Sequence, residues 1–252
     1  MSPDPSSDHY SYSAYADPVM ARTFDGRRFS GPIGELIAET QAQVLLNMVG
    51  TGKGRDILDV GTGTGRAAFI LARGGANVTA VDASEEMLAM ARQRAEEQRL
   101  TTITFQRGDA HALEFGARNF DTVVSFRVLM HTPQWQRCVG ELCRVADRLV
   151  IVDYPSATSV ALFESLARRA MYAAGMKTEP YRVFTHATIA AAFERHGFRV
   201  RSVHRQFVLP IALHKAIGSR RFTIWSEHAF DRAGLLKSFG SPVTLVAERC
   251  AS

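Results

Sequence analysis

The sequence predicts an α/β fold built on a mostly parallel sheet with helices on both faces. Short apolar runs alternate with segments of helical spacing, which implies right-handed parallel crossovers. The stretch Asp56-Ile-Leu-Asp-Val-Gly-Thr-Gly-Thr-Gly-Arg66 reads as a buried strand running straight into a glycine-rich turn and a helix. The 252 residues, 46% hydrophobic and 22% charged, have an ordinary globular composition and can bury a sizeable core.

Residues 1–20, rich in Ser, Pro, Asp and Tyr, read as a leader that is mobile when nothing is bound. Gly31-Pro32 opens a helix over about 33–49, with Ile33, Leu36, Ile37, Val44, Leu45 and Met48 on one apolar side. Together, residues 1–50 are expected to form a leader and cap helix on a main domain spanning 51–252. The first strand is Asp56–Val60. In the turn after it, Gly61, Gly63 and Gly65 let the backbone bend sharply and approach a ligand. A helix over about 64–73 then points its first N–H groups into the crevice.

Residues 78–82 are a second strand ending in Asp82. Ser84 caps the next helix, with Glu85 and Glu86 in its first turn and Met87, Leu88, Ala91 and Ala95 on its buried side. Strands follow at 102–106, 120–125 and 148–153, the last two joined by a helix over about 133–145. Helices over about 158–174 and 185–196 come next, the second capped by Thr185 and stopped by Gly197. Strands at 198–204 and 243–248 bring the count to seven. Insertions are expected at about 155–184 and 205–241. Within the second, the apolar run 208–213 reads either as core or as part of a lid over an apolar substrate.

The glycine spacing discriminates between ligands. Gly61-Thr-Gly63-Thr-Gly65 departs from the G-x-G-x-x-G turn of nicotinamide-binding sheets. Asp59 suits a ligand that carries an ammonium group and no phosphate, because a carboxylate repels a pyrophosphate. Asp82 lies about 20 residues past the first glycine, where an acid is expected to hold ribose hydroxyls.

At these residues the chain resembles the class I S-adenosylmethionine (SAM) methyltransferases. Asp59-Val-Gly61-Thr-Gly63-Thr-Gly65 looks like their first motif and Val81-Asp82-Ala-Ser-Glu-Glu-Met87 like their second. The likeness runs on through Gly108-Asp109-Ala110 and Phe120-Asp-Thr-Val-Val-Ser-Phe-Arg127, and covers roughly residues 55–155. It implies a Rossmann-like seven-stranded sheet whose last strand runs antiparallel, with SAM as cofactor and S-adenosylhomocysteine (SAH) as product. The cofactor-binding set it implies is Asp59, Gly61, Thr62, Gly63, Gly65, Asp82, Ala83, Met87, Asp109, Ala110 and Arg127. The backbone at Gly61 and Gly63 would lie against the methionine part, and Asp82 would accept from the ribose hydroxyls. Met87 would pack on adenine or simply fill the helix core. Asp109 and Ala110 would read the adenine edge.

Arg127 and His131 lie just past the fourth strand, at the sheet end where ligands of open α/β sheets sit. His131, with an ordinary pKa near ~6.5, is the candidate base for a proton leaving an attacking hydroxyl; the alternative is a loop histidine capping the next helix. Tyr154, after the fifth strand, is expected either to line the acceptor pocket as a second catalytic residue or to pack. His9, Tyr10, Tyr12 and Tyr15 in the leader are candidates for a lid.

Other classes are narrowed by composition and by missing motifs. The net charge is +5, but the basic residues are scattered and give no strong nucleic-acid signal. Cys138, Cys143 and Cys250 suggest neither a disulfide framework nor a zinc site. No run reaches the ~18 apolar residues of a membrane span, and no signal-peptide core is seen, so a cytoplasmic location is expected. The fourth strand ends in Ser125-Phe126, without the acid that begins the metal site of Mg-dependent catechol methyltransferases. Neither the Pro-Pro-Tyr motif of amino-methylating nucleic-acid enzymes nor the Pro-Cys of cytosine-C5 enzymes is present.

The expectation is a metal-independent, SAM-dependent methyltransferase of a small organic acceptor (quinone, lipid or natural-product-like), with O- or C-methylation favoured. It resembles the branch containing ubiquinone and menaquinone biosynthesis methyltransferases. A tRNA or protein methyltransferase, a nicotinamide oxidoreductase and a non-catalytic SAM-binding protein are the alternatives. Oligomeric state is left open, a homo-oligomer included.

Overall fold

A computed structural model of the chain describes residue 26 and residues 29–176 and 181–251. The leader residues His9, Tyr10, Tyr12 and Tyr15 lie outside the described residues. The described chain begins with α1 (Gly31–Val49), β1 (Asp56–Val60), α2 (Arg66–Arg73), β2 (Asn77–Asp82), α3 (Glu85–Glu97) and β3 (Ile103–Arg107). It continues through β4 (Phe120–Ser125), α4 (Trp135–Val145), β5 (Ala146–Tyr154), α5 (Ala161–Ala173), α6 (His186–Glu194) and β6 (Phe198–Arg205). It ends with α7 (Ile211–Ile217), α8 (Arg220–Arg232), α9 (Leu235–Phe239) and β7 (Val243–Arg249). All seven strands fall within two residues of their expected bounds.

The strands form one seven-stranded sheet in the order β3-β2-β1-β4-β5-β7-β6. β1 pairs in parallel with both β2 and β4, so the strand order reverses there and opens a crevice at the carboxyl ends. β7 is antiparallel to β5 and β6, as the resemblance implied.

Alternation along the buried strands feeds two core layers. Ile57, Val124, Leu149 and Ile151 pack with Leu45 and Val49 of α1 and Ala68 and Leu71 of α2. Leu58, Val123, Val150 and Val152 pack on the opposite side with Leu142 of α4 and Ile189 and Phe193 of α6. Helix ends behave as their sequence requires: Ser84 Oγ accepts from the Met87 N–H at 3.1 Å, and Thr185 Oγ1 accepts from the Thr188 N–H at 3.1 Å.

The segment between β6 and β7 is helical. Both α7 and α8 pack on α1. The apolar run there is divided between two environments: Ile211 packs against a third small core of Ile33, Ile37 and Phe207, whereas Leu213 is 42% exposed. This layer therefore packs against the helix that precedes the sheet. Among the described residues, no helix is long and apolar enough to cross a membrane.

Candidate active site

A cavity of about 420 Å³ opens at the carboxyl ends of β1, β2 and β4. Its floor is the glycine turn. The N–H groups of Gly61 and Thr62 both donate to the Val81 carbonyl, at 2.7 and 3.0 Å, which ties the turn to β2. Gly61 has φ +72°, and a Cβ there would stand 2.1 Å from Val128 Cγ2. Glycine is thus required both by the backbone and by the loop leaving β4.

Two carboxylates flank this turn. Asp59 is 1% exposed; its Oδ2 accepts from Thr62 Oγ1 at 2.7 Å and from the Ala68 N–H at 3.1 Å. Burial pushes its pKa up to about 6 despite those hydrogen bonds, and the charge on Asp82 adds to the rise. Asp82 accepts from the Gly63 N–H at 2.8 Å and from the Ser84 N–H at 2.9 Å, and burial raises its pKa as well.

The expected cofactor residues Asp59, Gly61, Thr62, Gly63, Asp82, Ala83, Met87, Asp109, Ala110 and Arg127 all line the cavity. Met87 lines the cavity and is 2% exposed in the helix core. Gly65 is not among the lining residues. With φ +90° it caps α2, and a Cβ there would meet the Phe69 ring at 2.5 Å, so its role is to shape the turn.

The two catalytic candidates separate. His131 lines the cavity and is 7% exposed; its N–H donates to the Val128 carbonyl at 2.9 Å. Tyr154 does not line the cavity. It belongs to the core beneath α4 and α6, where its hydroxyl lies 3.1 Å from His186 Nδ1 and its ring stands edge-on to Phe184. Burial pushes its pKa up to about 12. Successive strand residues face opposite sides of a sheet, so the residue of β5 that enters the site is Asp153.

Sequence reasoning passed over Asp153, although it ends an apolar run as Asp59 and Asp82 do. Its carboxylate accepts the Arg127 N–H, which holds Arg127 at φ +62° on the rim. His111 was also passed over: it is 3% exposed, its N–H donates to Asp109 Oδ1 at 2.9 Å, and its Nδ1 lies 2.7 Å from the same oxygen. The signal was present in the short spacing Asp109-Ala-His111. On the cap side, the Arg66 guanidinium lies 3.4 Å over the Phe29 ring and donates to Gln41 Oε1 at 3.1 Å, closing α1 over α2.

Residues 57–148 match a family model described as a methyltransferase domain. Over these residues the chain is similar to that family. That match contains the glycine turn, both flanking carboxylates and His131. An uncharacterised protein of Mycobacterium tuberculosis is 37% identical over 102 residues, covering 40% of this chain and 37% of that protein. A ubiquinone biosynthesis O-methyltransferase of Coxiella burnetii is 40% identical over 87 residues, covering 34% of this chain and 37% of that protein. The chain thus spans well under half the length of these curated relatives. The chain shares its overall fold with the magnesium protoporphyrin IX methyltransferase of Synechocystis. The TM-score is 0.65, with 21% identity, 95% of this chain and 98% of that one covered.

Proposed function

We propose that the chain is a SAM-dependent methyltransferase acting on a small organic acceptor, with O- or C-methylation favoured and no metal required. The observation that carries this reading is the pair of carboxylates, Asp59 and Asp82, flanking the glycine turn. Burial raises both pKa values, which means the site disfavours its own negative charge. A ligand carrying an ammonium and a sulfonium relieves that penalty, whereas a pyrophosphate adds to it. The residues present therefore fit SAM: Asp59 and the Gly61–Gly63 backbone at the amino-acid end, Asp82 at the ribose, and Met87, Asp109 and Ala110 at the adenine. The absence of an acid at Ser125-Phe126 supports the metal-independent reading.

The chemistry SAM supplies when bound is a methyl group made electrophilic by the sulfonium. The chain's own contribution is alignment and exclusion of water. Asp153 fixes the Arg127 backbone, Phe29 together with Gln41 and Leu45 of α1 roofs the cavity, and the 127–133 loop forms its wall. His131 takes the proton from an acceptor hydroxyl as that oxygen becomes the nucleophile. Arg182 steadies this loop, its N–H donating to the Met130 carbonyl at 2.9 Å and its Nη1 to the Thr132 carbonyl at 3.3 Å.

Incubation of the purified protein with methyl-labelled SAM and a cell extract, followed by fractionation, tests this reading. Label is expected in a small-molecule fraction. Label in RNA or protein would overturn the acceptor class, and calorimetric binding of NADH in place of SAM would overturn the cofactor.

A further inference from the structure

The exposed apolar surface of the protein is concentrated on two inserted segments. Of the twelve large apolar side chains exposed among the described residues, ten lie between 163 and 176 or between 213 and 239. Single exposed apolar residues are ordinary, whereas clustered ones mark an interaction surface. The second segment gathers them on one face. Both α7 and α8 rest on α1, and His214 Nδ1, 3.0 Å from Thr223 Oγ1, ties the one helix to the other. His214 of α7 and Thr223 and Ser226 of α8 are buried, so the helix faces turned away from α1 both look into solvent.

At helical spacing the outer face of α8 presents Arg221, Ile224, Trp225, His228 and Arg232. Trp225 is 66% exposed and Ile224 43%, and on α7 Leu213 and Ile217 are 42% and 45% exposed. On α8 the apolar pair stands between an arginine at either end. The carboxylates nearby are engaged elsewhere. Glu227 accepts from the Phe207 and Val208 N–H groups, Asp231 lies on the flank where it acts on His204, and Glu39 of α1 holds Arg220. The outward face is therefore apolar and basic.

We propose that this face docks on an anionic lipid surface. Trp225, Ile224, Leu213 and Ile217 enter the headgroup boundary, and Arg221 and Arg232 meet the lipid phosphates. A basic, tryptophan-bearing amphipathic helix lying in the membrane plane is held by those two forces together. Charge decides against a second copy of this chain as the occupant. A two-fold contact would set the face against itself and bring the arginines of both copies together. The position of α1 gives docking a consequence. It carries α7 and α8 and also lines the cavity through Gln41 and Leu45, so the docked chain holds its cavity close to the lipid. An apolar acceptor dissolved in the bilayer is then within reach. That consequence rests on the methyltransferase reading; the docking itself does not.

The test is flotation of the full chain with vesicles of phosphatidylcholine alone or mixed with an equal part of phosphatidylglycerol, read together with tryptophan emission. The chain is expected to float with the mixed vesicles, less so as salt is raised, and its emission to shift to the blue. Trp135, being buried, supplies a constant background. Trp225→Ser should weaken vesicle binding at least about tenfold and Arg221→Gln about fivefold, each with SAH affinity unchanged in calorimetry. Ile224→Ser provides the same readout should the Trp225 variant fold poorly. Absence of flotation with the mixed vesicles, equal flotation with the neutral ones, or unchanged binding in these variants would overturn the docking face. So would a dimer in sedimentation that Trp225→Ser dissociates, since the face would then belong to a second copy. Failure of the wild-type chain to bind SAH would instead overturn the cofactor reading, with the vesicle result still reporting on the face.

Discussion

Gly61→Ala offers a quantitative check on how the glycine turn and the His131 loop are joined. Two costs add at this position. Holding a non-glycine residue at φ +72° costs about 1–2 kcal/mol. The new Cβ also meets Val128 Cγ2 at 2.1 Å, and relieving such overpacking typically costs about 1–3 kcal/mol. Gly63→Ala separates the two, because Gly63 has φ +54° and nothing within 4 Å of its would-be Cβ. It should show the backbone cost alone. Thermal unfolding should therefore fall by roughly 5–20 °C for Gly61→Ala and by distinctly less for Gly63→Ala.

The decisive comparison adds Val128→Ala. Removing the Val128 methyl groups frees the space that the new Cβ needs, so the double variant should lose about 1–3 kcal/mol less than the sum of the singles. Val128 also accepts the His131 N–H and the Thr132 hydroxyl through its carbonyl. A displaced Val128 therefore carries the His131 loop with it, and turnover should drop in Gly61→Ala beyond what lost SAM affinity explains. Equal destabilisation by Gly61→Ala and Gly63→Ala, or simple additivity with Val128→Ala, would refute this account.

Asp59, with its pKa raised from 3.8 to about 6, stabilises the fold fully below the unfolded value and loses that contribution as pH rises through about 6. The loss is about 3 kcal/mol, so Asp59→Asn should flatten the stability profile between those values and raise stability at pH 7.5 in chemical denaturation. The same variant should bind SAM more weakly, and the wild type should release protons on binding near pH 6, read by calorimetry in buffers of different ionisation enthalpy. His131→Ala should cut turnover by roughly 10²–10⁴-fold with SAH affinity intact; unchanged turnover would remove it as base. Tyr154→Phe should leave turnover unaltered and cost about 1 kcal/mol through the lost pairing with His186. Asp153→Ala should slow turnover by freeing the Arg127 backbone, and a greater loss of turnover in Tyr154→Phe would reverse their assignment.

The half of the cavity around the glycine turn was legible because it is local. Asp59, the glycines and Asp82 lie on one strand–turn–helix unit and the next strand end, and their spacing encodes their geometry. Ser84 and Thr185 were legible as caps for the same reason, each serving an N–H three residues on. The opposite end of the cavity is made by contacts distant in sequence. Nothing in the order of residues relates Asp153 to Thr244; only the antiparallel pairing does.

Tyr154 shows the physical limit most clearly. A half-buried strand announces its facing through alternation of polar and apolar residues. β5 is buried on both sides, and Leu149, Val150, Ile151 and Val152 are all fully buried. Such a run reveals a strand and conceals its phase. Either Asp153 or Tyr154 was then equally able to face the ligand, and chemistry alone made the tyrosine attractive. A carboxylate ending a doubly buried strand is nevertheless the stronger clue. Its burial must be compensated, and at a sheet's carboxyl edge the compensating donors are loop N–H groups and ligands. Asp59 and Asp82 obey that rule through Ala68, Gly63 and Ser84, and Asp153 obeys it through Arg127. The three acids are thus one device used on three strands, each tying a binding loop to the strand that precedes it or lies beside it.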